Sequence, residues 1–169
     1  MNRARAMAAA VLVALLSAAK CATNNQPATT STMTANTLSA EETAQGWRLL
    51  FDGKTTAGWR NFKQQSISPG WRVIDGSLVR ADSGAGDIIT NDEFKNFELA
   101  LDWKISEGGN SGIFYRATEQ VPIIYEGAPE MQVLDDARHP DGKSQLTSAG
   151  ANYGLWPAPR GVVHPAGEW

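Results

Sequence analysis

Residues 97–105 read FELALDWKI, and apolar side chains alternate with other residues along the whole stretch. One face carries the large apolar residues, which are Phe97, Leu99, Leu101, Trp103 and Ile105. A period of two is that of a β-strand with one buried face, the usual condition in an antiparallel sheet. The stretch therefore predicts an antiparallel β fold.

Short strand patterns and turn signals recur on both sides of this stretch. Residues 71–74 and 77–80 flank Asp75-Gly76, a dipeptide that favours a two-residue hairpin turn. Further strands are predicted at 47–51, 87–90, 111–116 and 130–135. One helical turn is predicted at 40–44, where Ser39 and Glu42 have the spacing of a capping box. The pattern predicts an all-β fold, an antiparallel β-sandwich of the jelly-roll kind.

The composition is that of a globular domain and narrows the function classes. The 169 residues are 42% hydrophobic and 20% charged, and the net charge is -3. No stretch concentrates Lys and Arg, so nucleic acid is excluded as a partner. The single Cys excludes an internal disulfide framework and a Cys-based zinc site.

The N-terminal region has the pattern of an export signal. Residues 1–19 combine Arg3 and Arg5 with an uncharged run and small residues, which predicts a signal peptide. Cys21 stands where a bacterial lipoprotein carries its lipid, but the preceding Lys20 is atypical, so lipid anchoring and free secretion both stay open. Residues 20–45 lack aromatic side chains and are rich in Thr, which predicts a disordered linker before a domain at 46–169.

Polar side chains gather on two strands of this domain. On the strand at 130–135, Glu130 and Gln132 share one face, and Met131 and Val133 share the face expected to meet the core. On the preceding strand, Asn110, Gly112, Phe114 and Arg116 share a face. If the strands are neighbours, Arg116 and Glu130 meet beside an amide and a ring, a set that suits a carbohydrate.

Other interpretations of these residues stay open. Arg116 and Glu130 also fit an ordinary exposed cross-strand ion pair. Asp135 and Asp136 fit a turn better than a calcium site, because no regular spacing of oxygen ligands follows them. His139 and His164 both precede Pro in loop-like stretches and are interpreted as surface residues.

Several phrases together resemble the 3-keto-disaccharide hydrolase domain family, over essentially residues 46–169. They are, in order, WRLLFDGK at 47–54 with Gly58-Trp59, FKNFEL at 94–99, GNSGIFYR at 109–116, EMQVLD at 130–135 and GEW at 167–169. The resemblance implies a concanavalin A-like jelly roll, export from a bacterial cell, and cleavage of glycosides already oxidised at carbon 3. It also implies proton abstraction next to the ketone, elimination and hydration.

The resemblance assigns candidate roles to matching residues. Glu130 is the expected acid/base and Arg116 the expected clamp for an oxyanion or hydroxyl. The expected substrate-binding residues are Asn110, Gln132, Tyr115 and Asp135. No cofactor is certain, and a requirement for a divalent metal stays open. Similar domains continue beyond the Glu-Trp phrase, so the last strands of the sandwich are expected to be missing here.

Three function classes therefore remain. The leading hypothesis is an exported hydrolase or lyase acting on an oxidised di- or oligosaccharide, located in the periplasm, on the outer membrane or outside the cell. A noncatalytic carbohydrate-binding module is the alternative, because the same fold and polar face serve lectins. A structural or adhesion module held on the Thr-rich linker is the third.

Overall fold

The computed structural model describes residues 2–5 and 35–169, which form nine β-strands and one α-helix. The strands are β1 (Asn2–Arg5), β2 (Trp47–Leu49), β3 (Trp59–Asn61), β4 (Trp71–Ile74), β5 (Ser77–Arg80), β6 (Ile88–Thr90), β7 (Phe97–Ala100), β8 (Asn110–Phe114) and β9 (Glu130–Leu134). The helix is α1 (Ala40–Ala44), and short 3₁₀ turns lie at Ile124–Glu126 and Pro140–Lys143. The predicted all-β class is confirmed.

The predicted hairpin is formed by β4 and β5. The two strands pair antiparallel, with Ile74 opposite Ser77 at the turn. Asp75 and Gly76 both adopt positive φ, at 48° and 75°. A turn with positive φ at both central residues follows the right-handed twist of the strands, which is why Asp-Gly is favoured there.

The pair β8 and β9 forms the centre of the candidate site. Its antiparallel register sets Phe114 opposite Glu130 and Gly112 opposite Gln132. On the other edge of β9, the amide of Tyr153 donates to Glu130 O at 2.9 Å. A bridge between Met131 and Asn152 continues that pairing. The segment around 150–153 is thus a third strand-like element, and β9 lies between two neighbours.

The N-terminal strand β1 lies between β2 and β7 and runs parallel to both. It belongs to the stretch predicted as a signal peptide. The rest of that stretch, together with Cys21 and most of the predicted linker, lies outside the described residues. The signal peptide and the lipid anchor therefore stay predictions. Among residues 35–169, no helix has the length and apolar character that a bilayer crossing needs.

The last ten residues of the predicted linker contact the domain that follows them. Asn36 is only 8% exposed, and its side-chain amide donates to Gly76 O at 2.8 Å. The predicted helical turn follows at α1, where Ser39 and Glu42 form both hydrogen bonds of the capping box. Residues 36–45 are thus attached to the β4–β5 turn.

The strand predicted at 97–105 is shorter than expected. β7 ends at Ala100, where its four-residue pairing with β1 also ends. Leu101, Trp103 and Ile105 nevertheless remain half-buried while Lys104 is exposed, so the alternating burial outlasts the backbone pairing. Strand geometry ends because the neighbouring strand ends, whereas burial follows the side-chain pattern.

A buried amide holds the wall formed by β3 and β6. Asn61 is 4% exposed, and its Nδ2 donates to Ala85 O at 2.6 Å and to Asp87 O at 3.1 Å. Its Oδ1 accepts from the amide of Ser68. The side chain therefore connects three backbone segments, at Ser68, Ala85 and Asp87.

We expect Asn61→Ala to lower the free energy of unfolding by about 1–3 kcal/mol, because it leaves the Ser68 amide without its acceptor, removes one donor each from Ala85 O and Asp87 O, and removes side-chain volume. Chemical denaturation of the two proteins measures this difference. Asn96→Ala, at an exposed turn position, is the matched control and should change stability by less than about 0.5 kcal/mol. Equal stability of the two variants would contradict the assigned role of Asn61.

Candidate functional site

The carboxylate of Glu130 lies directly over Gly112 on the neighbouring strand. A Cβ placed on Gly112 would collide with Oε1, Cδ and Cγ of Glu130. Gly112 is one diagonal step from Glu130 in the β8–β9 register, a separation that a long side chain can span. The missing side chain at Gly112 therefore lets the carboxylate extend across β8.

The environment of this carboxylate favours its protonated form. Burial raises the pKa of Glu130 above its ordinary value, and the negative charge of Asp87 raises this pKa further. Among residues 35–169, no donor forms a hydrogen bond to the Glu130 carboxylate. An unpaired, partly desolvated carboxyl group of this kind suits proton transfer.

A cavity of about 1050 Å³ lies beside β8. The predicted site residues among its lining are Asn110, Tyr115, Arg116 and Glu130. Apolar and aromatic side chains contributed by β3, β4, β6 and β7 form much of the remaining wall. A concave space that combines apolar walls with a few convergent polar groups is the usual form of a small-molecule site.

Arg116 lies in this cavity wall without a protein partner. Its backbone has φ of 56°, which is unusual outside glycine, and its side chain is exposed. Its guanidinium forms no hydrogen bond or ion pair within residues 35–169. The alternative of an ordinary Arg116–Glu130 ion pair is therefore wrong. Both side chains line the same cavity, and their predicted roles stay predictions.

A bidentate ion pair anchors the loop that follows Arg116. Arg60 on β3 donates to both oxygens of Glu119, at 2.6 and 2.8 Å. The amide of Lys63 also donates to Glu119, and Lys63 Nζ donates to Val121 O at 2.8 Å. The Arg60 hydrogen bonds lower the pKa of Glu119 to about 2. This anchor fixes the loop across the cavity from β9.

Gln132 does not point away from the core as predicted. It is 1% exposed, Leu134 on the same face is 2% exposed, and Val133 on the opposite face is 5% exposed. Both faces of β9 are therefore buried, and its two edges are paired with β8 and with the segment around 150–153. Gln132 Oε1 accepts from the amide of Val133 at 3.1 Å, and the residue does not line the described cavity.

Asp135 is a structural acceptor at the end of β9. Its buried carboxylate accepts from the amides of Gly108, at 2.7 Å, and Ala137, at 3.1 Å. Arg138 Nη1 donates to it at 3.2 Å. These donors, Gly108 first, lower the pKa of Asp135. The side chain is absent from the lining of the described cavity, so the geometry favours a structural role over substrate binding.

The turn interpretation of the Asp135-Asp136 pair is supported by its neighbours. Asp136 Oδ1 accepts from the amide of Ala149 at 2.8 Å, which ties the following loop to the strand end. Within residues 35–169, no three acidic, His or Cys side chains converge in a way that could hold a metal ion. In the described part of the chain, both aspartates thus accept hydrogen bonds from backbone amides.

Three further polar residues lie around the site, and the sequence interpretation missed them. Asn110 Nδ2 lies 3.4 Å from His139 Nε2. His139 Nδ1 accepts from the amide of Asp141 and lies 3.9 Å from its Oδ2. Tyr153 donates its hydroxyl proton to the same Asp141 oxygen at 3.1 Å. The Tyr153 backbone is paired with Glu130, so the contacts run from Asn110 through these three residues to Glu130. Asn110 and Glu130, the two ends, both line the cavity.

Comparison with known proteins gives a consistent result. Residues 46–169 match the family model described as the 3-keto-alpha-glucoside-1,2-lyase-like domain. A curated relative from Bacteroides thetaiotaomicron, named 3-keto-disaccharide hydrolase, is 37% identical over 147 residues, which are 75% of this chain and 51% of the relative. The chain therefore spans about half the length of that relative.

A solved structure of a proposed glycosyl hydrolase from Parabacteroides distasonis is also similar. It is 31% identical, with a TM-score of 0.64, and the match covers 79% of this chain and 66% of the other. This likeness agrees with the all-β sandwich assigned above.

We expect Asp135→Asn to lower the unfolding temperature by several degrees at pH 7. The variant loses the negative charge that strengthens the hydrogen bonds from Gly108, Ala137 and Arg138. The folded pKa of Asp135 is lowered, so its stabilisation is complete above the ordinary value of about 3.9 and is lost as pH falls through the folded value. The difference from wild type should therefore narrow below about pH 4. Thermal unfolding between pH 2 and 7 measures it.

Asp82→Asn is the matched control, since Asp82 forms an exposed ion pair with Arg72 at 2.9 Å. It should change the unfolding temperature little at any pH. A difference for Asp135→Asn that stays constant with pH would contradict the assigned charge interaction.

Proposed function

The chain belongs to the 3-keto-alpha-glucoside-1,2-lyase-like domain family, and from this membership we propose that it is an exported enzyme that cleaves 3-keto-glycosides. The proposed substrate is a di- or oligosaccharide whose sugar carries a ketone at carbon 3. The observation that carries the proposal is the Glu130 carboxyl group, desolvated and without a partner, in the same cavity wall as the unpaired Arg116.

The ketone makes this combination of residues sufficient for catalysis. It acidifies the hydrogen on carbon 2, so a general base can remove that proton and leave an enolate. The enolate then expels the group on carbon 1, and water adds to the resulting double bond. The net reaction consumes one water and releases a 3-keto sugar and the second sugar.

Glu130 suits the first step because its carboxylate is held in the cavity wall without competing donors. Removal from water strengthens a carboxylate as a base, and a raised pKa brings its proton affinity nearer to that of the substrate. Arg116 carries a fixed positive charge that can stabilise the oxyanion at carbon 3. Asn110 and Tyr115 line the same cavity and supply polar groups for sugar hydroxyls.

Export is part of the proposal and is supported by the sequence alone. Arg3 and Arg5 precede an uncharged run and small residues, the pattern of a cleaved signal. Cys21 is a candidate for lipid attachment to a bacterial membrane. Metabolic labelling with a radioactive fatty acid distinguishes a lipidated Cys21 from a freely secreted protein.

We expect Glu130→Gln to abolish turnover of 3-keto-trehalose or 3-keto-lactose, with a loss of at least about 100-fold, because the amide cannot accept the carbon 2 proton. Release of the second sugar measures the rate, with and without a chelator to test for a metal. Glu126→Gln, at an exposed acid on the nearby 3₁₀ turn, is the control and should retain wild-type activity.

The outcomes also separate the two function classes. Near-normal turnover by Glu130→Gln would remove this residue from the mechanism. Saturable binding of the sugar by the wild-type chain without any turnover would favour a noncatalytic carbohydrate-binding module.

We expect Asp87→Asn to move the acidic limb of the kcat/KM pH profile to lower pH. The negative charge of Asp87 raises the pKa of Glu130, so its removal lets Glu130 ionise at lower pH and act as a base there. Part of the elevation should remain in the variant, because burial is the larger cause of the raised pKa. An unchanged limb would mean that Glu130 does not control it.

A further inference from the structure

The proposed reaction moves two protons, one from carbon 2 to Glu130 and one to the departing oxygen at carbon 1. A departing sugar oxygen needs a proton, because an alkoxide is a poor leaving group. When that oxygen lies on the face of the sugar opposite to the carbon 2 hydrogen, Glu130 cannot deliver the second proton. A second proton-transfer group across the bound sugar from Glu130 serves this geometry.

Strand geometry places His139 at such a distance. The Asn110 row of the β8–β9 pair is four residues from the Glu130 row, about 13 Å along the strand. Glu130 extends over Gly112, about half of that distance, so a gap of about 7 Å separates its carboxylate from the Asn110 row. His139 Nε2 lies 3.4 Å from Asn110 Nδ2, at the far side of this gap.

His139 is both held in place and accessible. A quarter of its side chain is exposed, and the ring is oriented by two parts of Asp141. In the neutral ring Nδ1 accepts from the Asp141 amide at 3.3 Å. In the protonated ring Nδ1 carries a hydrogen and its partner is the Asp141 carboxylate, 3.9 Å away, in place of the amide. Both contacts engage Nδ1 and leave Nε2 directed at Asn110. Asn110 lines the cavity, and His139 lies next to this lining without being part of it.

We propose that His139 is the catalytic acid that protonates the departing sugar oxygen, and that Asp141 and Tyr153 are its positioning residues. This inference rests on the proposed function. It assigns a role to a side chain that neither the family phrases nor the residue pattern singles out. Histidine is suited to this step because its ordinary pKa lies close to neutral pH.

The steps balance in protons and electrons. The Glu130 carboxylate takes the proton from carbon 2, the electron pair of that bond forms the enolate, and Arg116 stabilises the oxyanion at carbon 3. The enolate pair then forms the carbon 1–carbon 2 double bond as the carbon 1–oxygen bond breaks. The departing oxygen takes the proton from Nε2 of the imidazolium form of His139, which becomes neutral.

Hydration restores both groups. Neutral His139 takes a proton from water as the oxygen of that water bonds to carbon 1, and protonated Glu130 returns its proton to carbon 2. The cycle ends with Glu130 ionised and His139 protonated, as it began.

The contact from Tyr153 explains why Asp141 stays directed at His139. Its hydroxyl donates to Asp141 Oδ2 at 3.1 Å, and the Tyr153 backbone is paired with Glu130. Burial raises the pKa of Tyr153, and Asp141 and Glu130 raise it further, so the hydroxyl keeps its proton and remains a donor. A rigid link therefore runs from β9 through Tyr153 and Asp141 to the imidazole.

The test compares two leaving groups on the same 3-keto-glucoside. A sugar leaving group needs a proton, whereas 4-nitrophenolate departs without one. We expect His139→Gln to lose about 100-fold or more in kcat with the disaccharide but less than about tenfold with the 4-nitrophenyl glycoside. Retained nitrophenyl turnover also shows that the variant is folded. His164→Gln, at the other described histidine, which is exposed, is the control and should match wild type on both substrates.

Tyr153→Phe removes a single hydroxyl and tests the positioning role. It should show the same dependence on leaving group with a smaller loss in kcat and an unchanged KM. This result would support the link even if His139→Gln failed to fold. Absence of any dependence on leaving group in Tyr153→Phe, with His139→Gln unfolded, would overturn the proposal.

Equal losses of His139→Gln on both substrates, or wild-type rates on the disaccharide, would also overturn it. If the proposed function itself is wrong, the result is different: the wild-type chain would cleave neither 3-keto-glycoside.

Discussion

The geometry of the site depends on one position without a side chain. Gly112 lies diagonally across from Glu130 in the β8–β9 register, and any β-carbon there would occupy the space of the Glu130 carboxylate. With that space free, the carboxylate crosses the neighbouring strand and reaches the cavity instead of turning to bulk water. Its approach to the Asn110 row follows from this contact, and the burial it gains there is the larger cause of its raised pKa, to which the charge of Asp87 adds.

The second constraint is the separation of charges. Arg60 is held by Glu119, and Arg138 is divided between Asp135 and Glu107, so these guanidinium groups are neutralised by their partners. Arg116 and Glu130 lie in one cavity wall and do not pair. A direct ion pair would lower the pKa of Glu130 and would occupy the charge that an oxyanion needs. The Arg60–Glu119 anchor fixes the loop after Arg116, which helps to keep the two groups apart.

Local sequence patterns predicted the parts of this arrangement that depend on local geometry. Alternation predicted which residues of β8 and β9 share a face, and Asp75-Gly76 predicted its hairpin, because both follow from backbone sterics. The burial of Gln132 was not predictable in this way, because it depends on the segment around 150–153, which has no strand periodicity. His139 was missed for a related reason, since its contact with Asn110 joins residues 29 positions apart.

The arrangement fits elimination better than direct displacement at carbon 1. Direct hydrolysis of a glycoside uses two carboxyl groups that flank the bond to be broken. The cavity wall instead combines the partly desolvated Glu130 carboxyl group with the Arg116 guanidinium, a cation that direct hydrolysis does not require. Asp87 also lines this wall, and its charge raises the pKa of Glu130. An enolate forms over two adjacent atoms, carbon 2 and carbon 3, so its base and its cation must approach neighbouring points of the sugar. Glu130 and Arg116 both line the cavity, and the Glu130 carboxylate extends over Gly112, to the side of Phe114 away from Arg116, so the proposed sugar would lie between the two groups. A substrate that already carries the ketone supplies the acidity that this pair of residues alone cannot create.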